Sequence, residues 1–345
     1  MEMHLYPVSL PLARPFGISR GVRREVHNVI VALRQGQEMG WGEAAPNARY
    51  GETQASALEF LKRLDLRPFE LPQDLDRALD YVWNAGSGEF AAKAAVDIAL
   101  HDLWARLQGQ PLYRLWGLRP RASVQTSYTI GIDSLEAIEE KVREAERFPI
   151  LKVKLGTPQD EAIIRTIRRI TDRTVRVDAN EGWEPEEALE KIRWLATQNV
   201  EFIEQPLAAN RWEEQRWLRE HSPLPIVADE AVHRSEDIPR VAEAYDGINV
   251  KLMKCGGLRE ARRMIEAARK LGLRVMVGCM VETSIAATAG AMLTPLVDWA
   301  DLDGPLLLAR DPFEGATIAE AAYVRLPERP GLGVRPRPGI PWPPQ

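Results

Sequence analysis

Short apolar runs rich in β-branched residues recur at regular intervals through the last two thirds of the chain, with helical patterns between most of them. Strands that alternate with helices form a parallel sheet, and eight such strands are typical of a (β/α) barrel. No GxGxxG sequence follows the first run, which disfavours a doubly wound sheet. The predicted strands are Val124–Ile130, Leu151–Leu155, Val175–Asp178, Phe202–Glu204, Ile226–Asp229, Ile248–Leu252, Val275–Cys279 and Trp299–Asp303.

The first third of the chain has a different pattern, which predicts an α+β capping domain. Three strand-like segments are separated by turns that contain Gly, Thr53 is a suitable N-cap for a following helix, and an Ala-rich pattern indicates a long buried helix. The predicted elements are strands at His4–Leu10, Val26–Leu33 and Glu38–Glu43 and helices at 54–65 and Glu89–Leu107.

These patterns divide the chain into two domains. Residues 1–118 are expected to form the capping domain, and residues 119–314 the barrel. No strong helix follows the eighth strand, so we expect a modified TIM-type barrel of the form (β/α)7β. The Pro-rich segment 315–345 is expected to return to the capping domain and complete it.

Composition narrows the classes of function. The formal net charge is -5 without long runs of either sign, which argues against nucleic-acid or membrane-surface binding. No apolar stretch is long enough to span a bilayer, and the N-terminus does not resemble a signal peptide. Two cysteines provide no disulfide framework. We therefore expect a soluble cytoplasmic protein.

Lysine is scarce, with 9 residues against 36 Arg, and four of the nine lie in two segments that otherwise predict buried strands. Arginine serves well on a surface but does not deprotonate in proteins. Lysines retained at such positions suggest that an amine is required. They are Lys152, Lys154, Lys251 and Lys254.

Three successive predicted strands end in a carboxylate, namely Asp178, Glu204 and Asp229. The carboxyl ends of barrel strands meet at one rim, where active sites lie. Three carboxylates held together there suit a hard divalent cation, with Mg²⁺ favoured. The alternative is that each carboxylate caps a helix or pairs with an Arg. Lys154 and Lys251 end strands two and six, on opposite sides of this triad, and either can act as a base or form a salt bridge.

The motifs KVKLG (152–156), VDANEGW (177–183), EQPL (204–207), ADEA (228–231) and NVKLMKCGG (249–257) resemble the enolase superfamily. The pair of strand-end lysines is similar to the muconate-lactonizing-enzyme subgroup. The resemblance covers nearly the whole chain, including the capping-domain segment GWGEAAP (40–46).

The resemblance implies a role for each of these residues. Asp178, Glu204 and Asp229 would bind one Mg²⁺ per subunit. Lys154 and Lys251 would be the acid/base pair on opposite faces of the substrate α-carbon, with inversion through an ene-diolate. Lys152 would assist the substrate carboxylate. A homo-oligomer is also expected.

Within the subgroup, the segment ADLDGPLLLA (300–309) resembles the dipeptide epimerases, in which a DxD pair holds the α-ammonium of the substrate. Asp301 and Asp303 suit an ammonium and would repel an anionic N-succinyl tail. The alternative is that one Asp faces a catalytic Lys while the other accepts from a backbone N–H. L-Ala-L-Glu is the expected dipeptide, in cell-wall peptide metabolism, and Arg20 is the residue chosen to bind its side-chain carboxylate.

Thr126 and Met280 complete the predicted substrate contacts. The enzyme alternative is an N-succinylamino acid racemase or o-succinylbenzoate synthase with the same Mg²⁺ and lysines. A non-catalytic barrel that only binds a peptide is a third hypothesis, which the complete set of metal-binding and lysine residues disfavours.

Overall fold

A computed structural model describes residues 1–119 and 124–340 of the chain. The first part is an antiparallel sheet in the strand order β1-β2-β3, followed by helices that cover it. The elements are β1 Glu2–Ile18, β2 Gly21–Gln35, β3 Glu38–Ala44, α1 Gln54–Lys62, α2 Leu75–Asn84, α3 Phe90–Leu107 and α4 Leu112–Leu115.

Local sequence explains how these elements pack. Thr53 caps α1, as predicted, because its side chain accepts from the backbone N–H of Ser56 at 3.1 Å. The long helix α3 lies directly on β3. A Cβ atom on Gly42 would lie 1.8 Å from the carbonyl oxygen of Ala95, so this close approach requires glycine. The expected strands and helices of this part are confirmed.

The second part is an eight-stranded parallel sheet in which every strand pairs with the next one along the chain. A further bridge joins Thr126, two residues before the first strand, to Ala300 of the last strand, so the two edges of the sheet meet and the barrel is nearly closed. The strands are β4 Tyr128–Ile130, β5 Ile150–Lys154, β6 Thr174–Asp178, β7 Val200–Glu204, β8 Ile226–Ala228, β9 Gly247–Lys251, β10 Arg274–Gly278 and β11 Trp299–Asp301.

Helices connect these strands. They are α5 Leu135–Glu144, α6 Asp160–Arg168, α7 Pro185–Leu195, α8 Trp212–His221, α9 Ile238–Ala244, α10 Leu252–Cys255, α11 Leu258–Lys270 and α12 Ser284–Ala291. A 3-10 turn, Gly304–Leu307, follows β11 in place of an eighth helix. The (β/α)7β architecture with an α+β capping domain is therefore confirmed.

Three predicted strands are shorter in the structure. The first begins at Tyr128, because the backbone N–H of Thr126 bonds to Ala322 of the C-terminal segment. The fifth ends one residue before Asp229, and the eighth ends at Asp301. Asp303 thus precedes the 3-10 turn instead of lying in a strand.

Part of the C-terminal segment contacts helix α3 of the first part of the molecule. Short strands β12 Phe313–Glu314 and β15 Arg335–Pro336 pair with each other, and β13 Thr317–Ile318 pairs with β14 Val324–Arg325. The N–H of Leu332 donates to Asp102 of α3 at 2.7 Å. The domain limits at 118/119 and 314/315 stay predictions. No helix among the described residues is long and apolar enough to cross a membrane.

Alternate residues of the strands form two layers inside the barrel. The upper layer contains the strand-end carboxylates and lysines, and two positions below it lie Lys152, Arg176, Phe202, Asn249 and Trp299. Phe202 and Trp299 are in contact with ring centroids 4.7 Å apart. The lower layer therefore fills the barrel interior beneath the strand-end groups, and its Lys152 and Asn249 contact them from below.

Candidate active site

The three predicted metal ligands meet at the carboxyl ends of adjacent strands. Asp178 ends β6, Glu204 ends β7 and Asp229 directly follows β8. One oxygen from each lies within 4.8 Å of the others, and all three side chains are buried. Adjacent parallel strands bring these carboxylates together as the sequence predicted.

Two lysines of β5 pair with this triad. Lys154 Nζ lies 2.6 Å from Asp178 Oδ2. Lys152 Nζ lies 2.7 Å from Glu204 Oε2, 2.7 Å from Asp301 Oδ2 and 3.2 Å from Asp178 Oδ2. Because buried carboxylates need compensating charge, these contacts stabilise the cluster.

Two more lysines hold Asp229 from the other side. Lys251 Nζ, at the end of β9, donates to Asp229 Oδ2 at 2.8 Å. Lys254 Nζ donates to Asp229 Oδ1 at 2.6 Å and also to three backbone carbonyls. Lys254 therefore pairs with a carboxylate just beyond the strand, while Lys251 faces the cavity.

These pairs set opposite protonation preferences within the triad. Burial favours the neutral acid at Asp178, but the ammonium groups of Lys154 and Lys152 outweigh it and hold the pKa at about 2. Burial and the charge of Asp178 raise the pKa of Glu204 to about 7. Burial opposes ionisation of Lys251 too, but Asp229 raises its pKa above the usual value.

The donor set fits a hard divalent cation. Glu204 Oε2 is buried and has no hydrogen-bond partner, although Lys152 Nζ lies nearby in poor geometry. Asn249 Nδ2 donates to Glu204 Oε1 at 2.7 Å and fixes the orientation of that carboxylate. Three oriented carboxylates with an available oxygen are the ligands that Mg²⁺ prefers.

A cavity of about 380 Å³ opens above these groups, between the barrel rim and the capping domain. Lys154 and Lys251 both line it. Their strands, β5 and β9, are separated by three strands in each direction around the barrel. The two amines therefore come from opposite walls. Asp229, Asp301, Asp303 and Met280 also line this cavity.

The DxD pair has protein partners at the cavity wall. Asp301 accepts from Lys152 Nζ at 2.7 Å and from Ser127 Oγ at 2.8 Å. Asp303 accepts from the N–H and the hydroxyl of Thr129 at 2.6 and 3.1 Å. Contacts with a lysine and with a backbone N–H are those of the alternative in which the DxD pair binds protein groups instead of a substrate ammonium. Burial and the charge of Asp301 raise the pKa of Asp303 to about 7.

Arg20 lies at the tip of the β1–β2 hairpin and reaches the barrel. Its guanidinium lies 2.9 Å from Glu230 Oε1 and 3.3 Å from Glu181 Oε2. Glu181 also accepts two hydrogen bonds from Arg49, both at 2.8 Å. Glu181 thus joins two segments of the capping domain to the loop that follows Asp178.

Two family models match most of the chain. The model described as "Mandelate racemase / muconate lactonizing enzyme, N-terminal domain" matches residues 1–117, and "Enolase C-terminal domain-like" matches residues 135–340. The chain belongs to the enolase superfamily. The resemblance seen in the motifs is therefore confirmed.

Relatives within this superfamily include epimerases and a racemase. The chain is 43% identical to an L-Ala-D/L-Glu epimerase of Bacteroides thetaiotaomicron, covering 97% of this chain and 88% of that protein. It is 31% identical to an N-succinyl-L-Arg/Lys racemase of Bacillus cereus, covering 96% and 94%. A dipeptide epimerase of Cytophaga hutchinsonii, solved with Mg and D-Ala-L-Val, superposes with a TM-score of 0.91 at 30% identity, covering 98% and 96%. The predicted isomerase class agrees with these relatives.

Thr126, one of the predicted substrate contacts, lies outside the cavity of this enolase-superfamily protein. Thr126 is fully buried in the seam that closes the barrel, where its hydroxyl accepts from the N–H of Leu302 at 2.8 Å. It does not line the cavity, whereas Thr129 does. The shortened first strand explains the difference, because Thr126 precedes that strand and pairs with Ala300.

Two cavity residues, Arg49 and Tyr50, and the neighbouring Glu181 were not found from the sequence. Tyr50 lines the cavity, and burial raises its pKa. Glu181 follows the DAN motif, but its pairing with Arg49 joins residues 132 positions apart. No local pattern in the sequence marks Arg49 or Tyr50, because both reach the cavity through the packing of the capping domain on the barrel.

Proposed function

We propose that this protein is a Mg²⁺-dependent dipeptide epimerase that inverts the α-carbon of the C-terminal residue, with L-Ala-L-Glu and L-Ala-D-Glu as the interconverted pair. One observation carries the proposal: Lys154 and Lys251 face one cavity from opposite walls, beside a buried triad of carboxylates. Inversion at one carbon requires a proton donor and a proton acceptor on opposite faces.

Each lysine acts at its amine nitrogen. When the α-proton of the substrate faces β5, Lys154 Nζ accepts it. Lys251 Nζ then donates a proton to the opposite face of the α-carbon, from the side of β9. The roles exchange for the reverse reaction. Lys152 Nζ, two residues before Lys154 on β5, supplies a positive charge to the substrate carboxylate.

Asp178, Glu204 and Asp229 would hold the metal ion, and Asn249 keeps Glu204 oriented toward it. A bound Mg²⁺ supplies positive charge that stabilises the deprotonated substrate and offsets the carboxylates that raise lysine pKa values. The capping hairpin and its Arg20–Glu230 contact cover the site and limit the access of water.

The choice of a dipeptide rests on Asp301 and Asp303. Both line the cavity, and a carboxylate can accept about four hydrogen bonds. Each already accepts from protein donors but keeps capacity for a substrate ammonium. Among the relatives, several are epimerases of dipeptides, which agrees with this assignment.

An N-succinylamino acid racemase or o-succinylbenzoate synthase is the second candidate. It is favoured by the contacts of Asp301 with Lys152 and of Asp303 with Thr129, which satisfy part of the DxD pair without any ammonium. The racemase relative from Bacillus cereus is consistent with this alternative.

Proton NMR in D2O tests the proposal. The purified protein with Mg²⁺ is given L,L-dipeptides, including L-Ala-L-Glu, and N-succinylamino acids. We expect loss of the α-proton signal of the C-terminal residue, growth of the diastereomer signals, and no exchange after EDTA treatment or in Asp178→Asn. Exchange with N-succinyl substrates alone contradicts the dipeptide assignment. Exchange that persists in EDTA contradicts the metal assignment.

We further propose a role in cell-wall peptide metabolism, a cytoplasmic location and a homo-oligomeric state. Sedimentation velocity of the purified protein tests self-association, which a single monomeric species contradicts. Cell fractionation tests the location.

A further inference from the structure

Gln205 directly follows Glu204, the middle member of the carboxylate triad, and its side chain is completely buried. It is not among the described residues that line the cavity, so it is not placed to contact a substrate. Its φ angle of 38° lies in the left-handed region, which is unfavourable for a glutamine. Backbone strain of this kind persists only where the surrounding contacts hold it.

The side-chain amide of Gln205 holds the loop that carries the next member of the triad. Its Oε1 accepts from the backbone N–H groups of Asp229 and Ala231 at 3.0 and 3.1 Å. Its Nε2 donates to the carbonyl of Leu207 at 2.9 Å and lies 3.0 Å from the hydroxyl of Tyr245. Two N–H donors require an oxygen on one side and a carbonyl requires an N–H on the other, so a neutral amide matches these surroundings.

The backbone of Gln205 bonds to the segments on both sides. Its N–H donates to the carbonyl of Val227 in β8 at 2.9 Å, and its carbonyl accepts from the N–H of Glu181 at 2.9 Å. Glu181 lies three residues beyond Asp178, in the loop that follows β6. One residue at the end of β7 thus joins the segments that carry all three carboxylates.

A fixed framework is needed because the triad opposes its own assembly. Three carboxylates with oxygens within 4.8 Å of one another repel when they ionise. A charged side chain would alter this balance or compete for the cation, whereas an amide fixes the spacing and adds no charge. On the basis of the metal site of the proposed function, we propose that Gln205 is a positioning residue, which sets the spacing of Asp229 from Glu204 and thereby the affinity of the triad for Mg²⁺.

Isothermal titration of the metal-free protein with Mg²⁺, in the absence of substrate, tests this role. Gln205→Asn shortens the side chain by one methylene and withdraws the amide from Asp229, while Asn tolerates a positive φ. We expect the dissociation constant for Mg²⁺ to rise roughly 10-fold. Gln215→Asn is the matched control, because Gln215 is also buried but its amide donates to the carbonyl of Ala244 in α9. Its affinity for Mg²⁺ should stay within about twofold of the wild type.

Gln205→Met is the second variant, because Met has nearly the length of Gln but offers no strong acceptor. It should weaken Mg²⁺ binding as Gln205→Asn does. An unchanged dissociation constant in Gln205→Met, or an equal rise in Gln215→Asn, overturns the proposal. Failure of the dipeptide epimerase function gives a separate signal, because D2O exchange would then be absent while the titrations still show the difference between the Gln205 and Gln215 variants.

Discussion

Glu43 of the capping sheet accepts hydrogen bonds from the backbone N–H and the hydroxyl of Thr283, at 2.9 and 2.6 Å, across the junction with the barrel. Asn28 Nδ2 donates to the same carboxyl at 2.8 Å. Thr283 caps helix α12 and follows the cavity segment that contains Met280. One fully buried carboxyl group thus fixes both the helix terminus and the cavity wall to the capping domain.

Replacement of Glu43 should change how stability depends on pH. Burial raises the pKa of Glu43 to about 6, from 4.5. Between these values the unfolded chain has lost the proton while the folded chain retains it, so rising pH destabilises the folded protein by about 2 kcal/mol. The unfolding free energy of Glu43→Gln relative to wild type should therefore rise by this amount between about pH 4.5 and 6.

Urea unfolding at several pH values measures this difference. Glu38→Gln, at the exposed start of the same strand, is the matched control. Parallel pH profiles for wild type and Glu43→Gln would show that the carboxyl group has the same proton affinity in both states.

Lys254 does not line the cavity, but it should contribute strongly to the stability of the folded protein. Its side chain is 1% exposed and bonds to Asp229 and to backbone carbonyls. Lys254→Met removes these donations and one of the two ammonium groups that hold Asp229, with Lys251 left as the other, so we expect a loss of about 3 kcal/mol in unfolding free energy. Lys270→Met removes an exposed pair with Glu266 and should cost below about 1 kcal/mol. Equal losses for the two variants would contradict the structural role of Lys254.

Asp303→Asn tests the ammonium site. The substitution keeps an oxygen that can accept from Thr129 but removes the charge. We expect kcat/KM for L-Ala-L-Glu to fall roughly 10- to 100-fold, because a charge-assisted contact is lost. N-acetyl-L-Ala-L-Glu lacks the ammonium and should show little change between the two proteins. A similar loss for both substrates would argue that Asp303 acts on the protein alone, through Thr129.

The barrel and its rim were predictable because their signals are local. Alternation of strand and helix patterns determines the architecture, and the residue that ends each strand determines what reaches the rim. Asp178 and Glu204 could therefore be placed together from their strands alone.

Contacts between distant segments were not predictable in the same way. Thr126 was assigned to the cavity because its strand was expected to start earlier, and the hydrogen bond to Ala322 that displaces it comes from the C-terminal segment. The contacts of Arg20 with Glu181 and Glu230 likewise depend on how the hairpin meets the barrel. Among 36 arginines, sequence alone does not show which ones reach the cavity or which carboxylates they contact there.

The most direct test of the two-lysine account is deuterium exchange in variants that keep only one of the two amines. Lys154→Ala and Lys251→Ala are each incubated in D2O with Mg²⁺ and either L-Ala-L-Glu or L-Ala-D-Glu. If the lysines face opposite sides of the α-carbon, each variant should exchange the α-proton of only one diastereomer, a different one for each variant, and neither should interconvert them. Interconversion that persists in either variant, or exchange of the same diastereomer by both, would contradict the account.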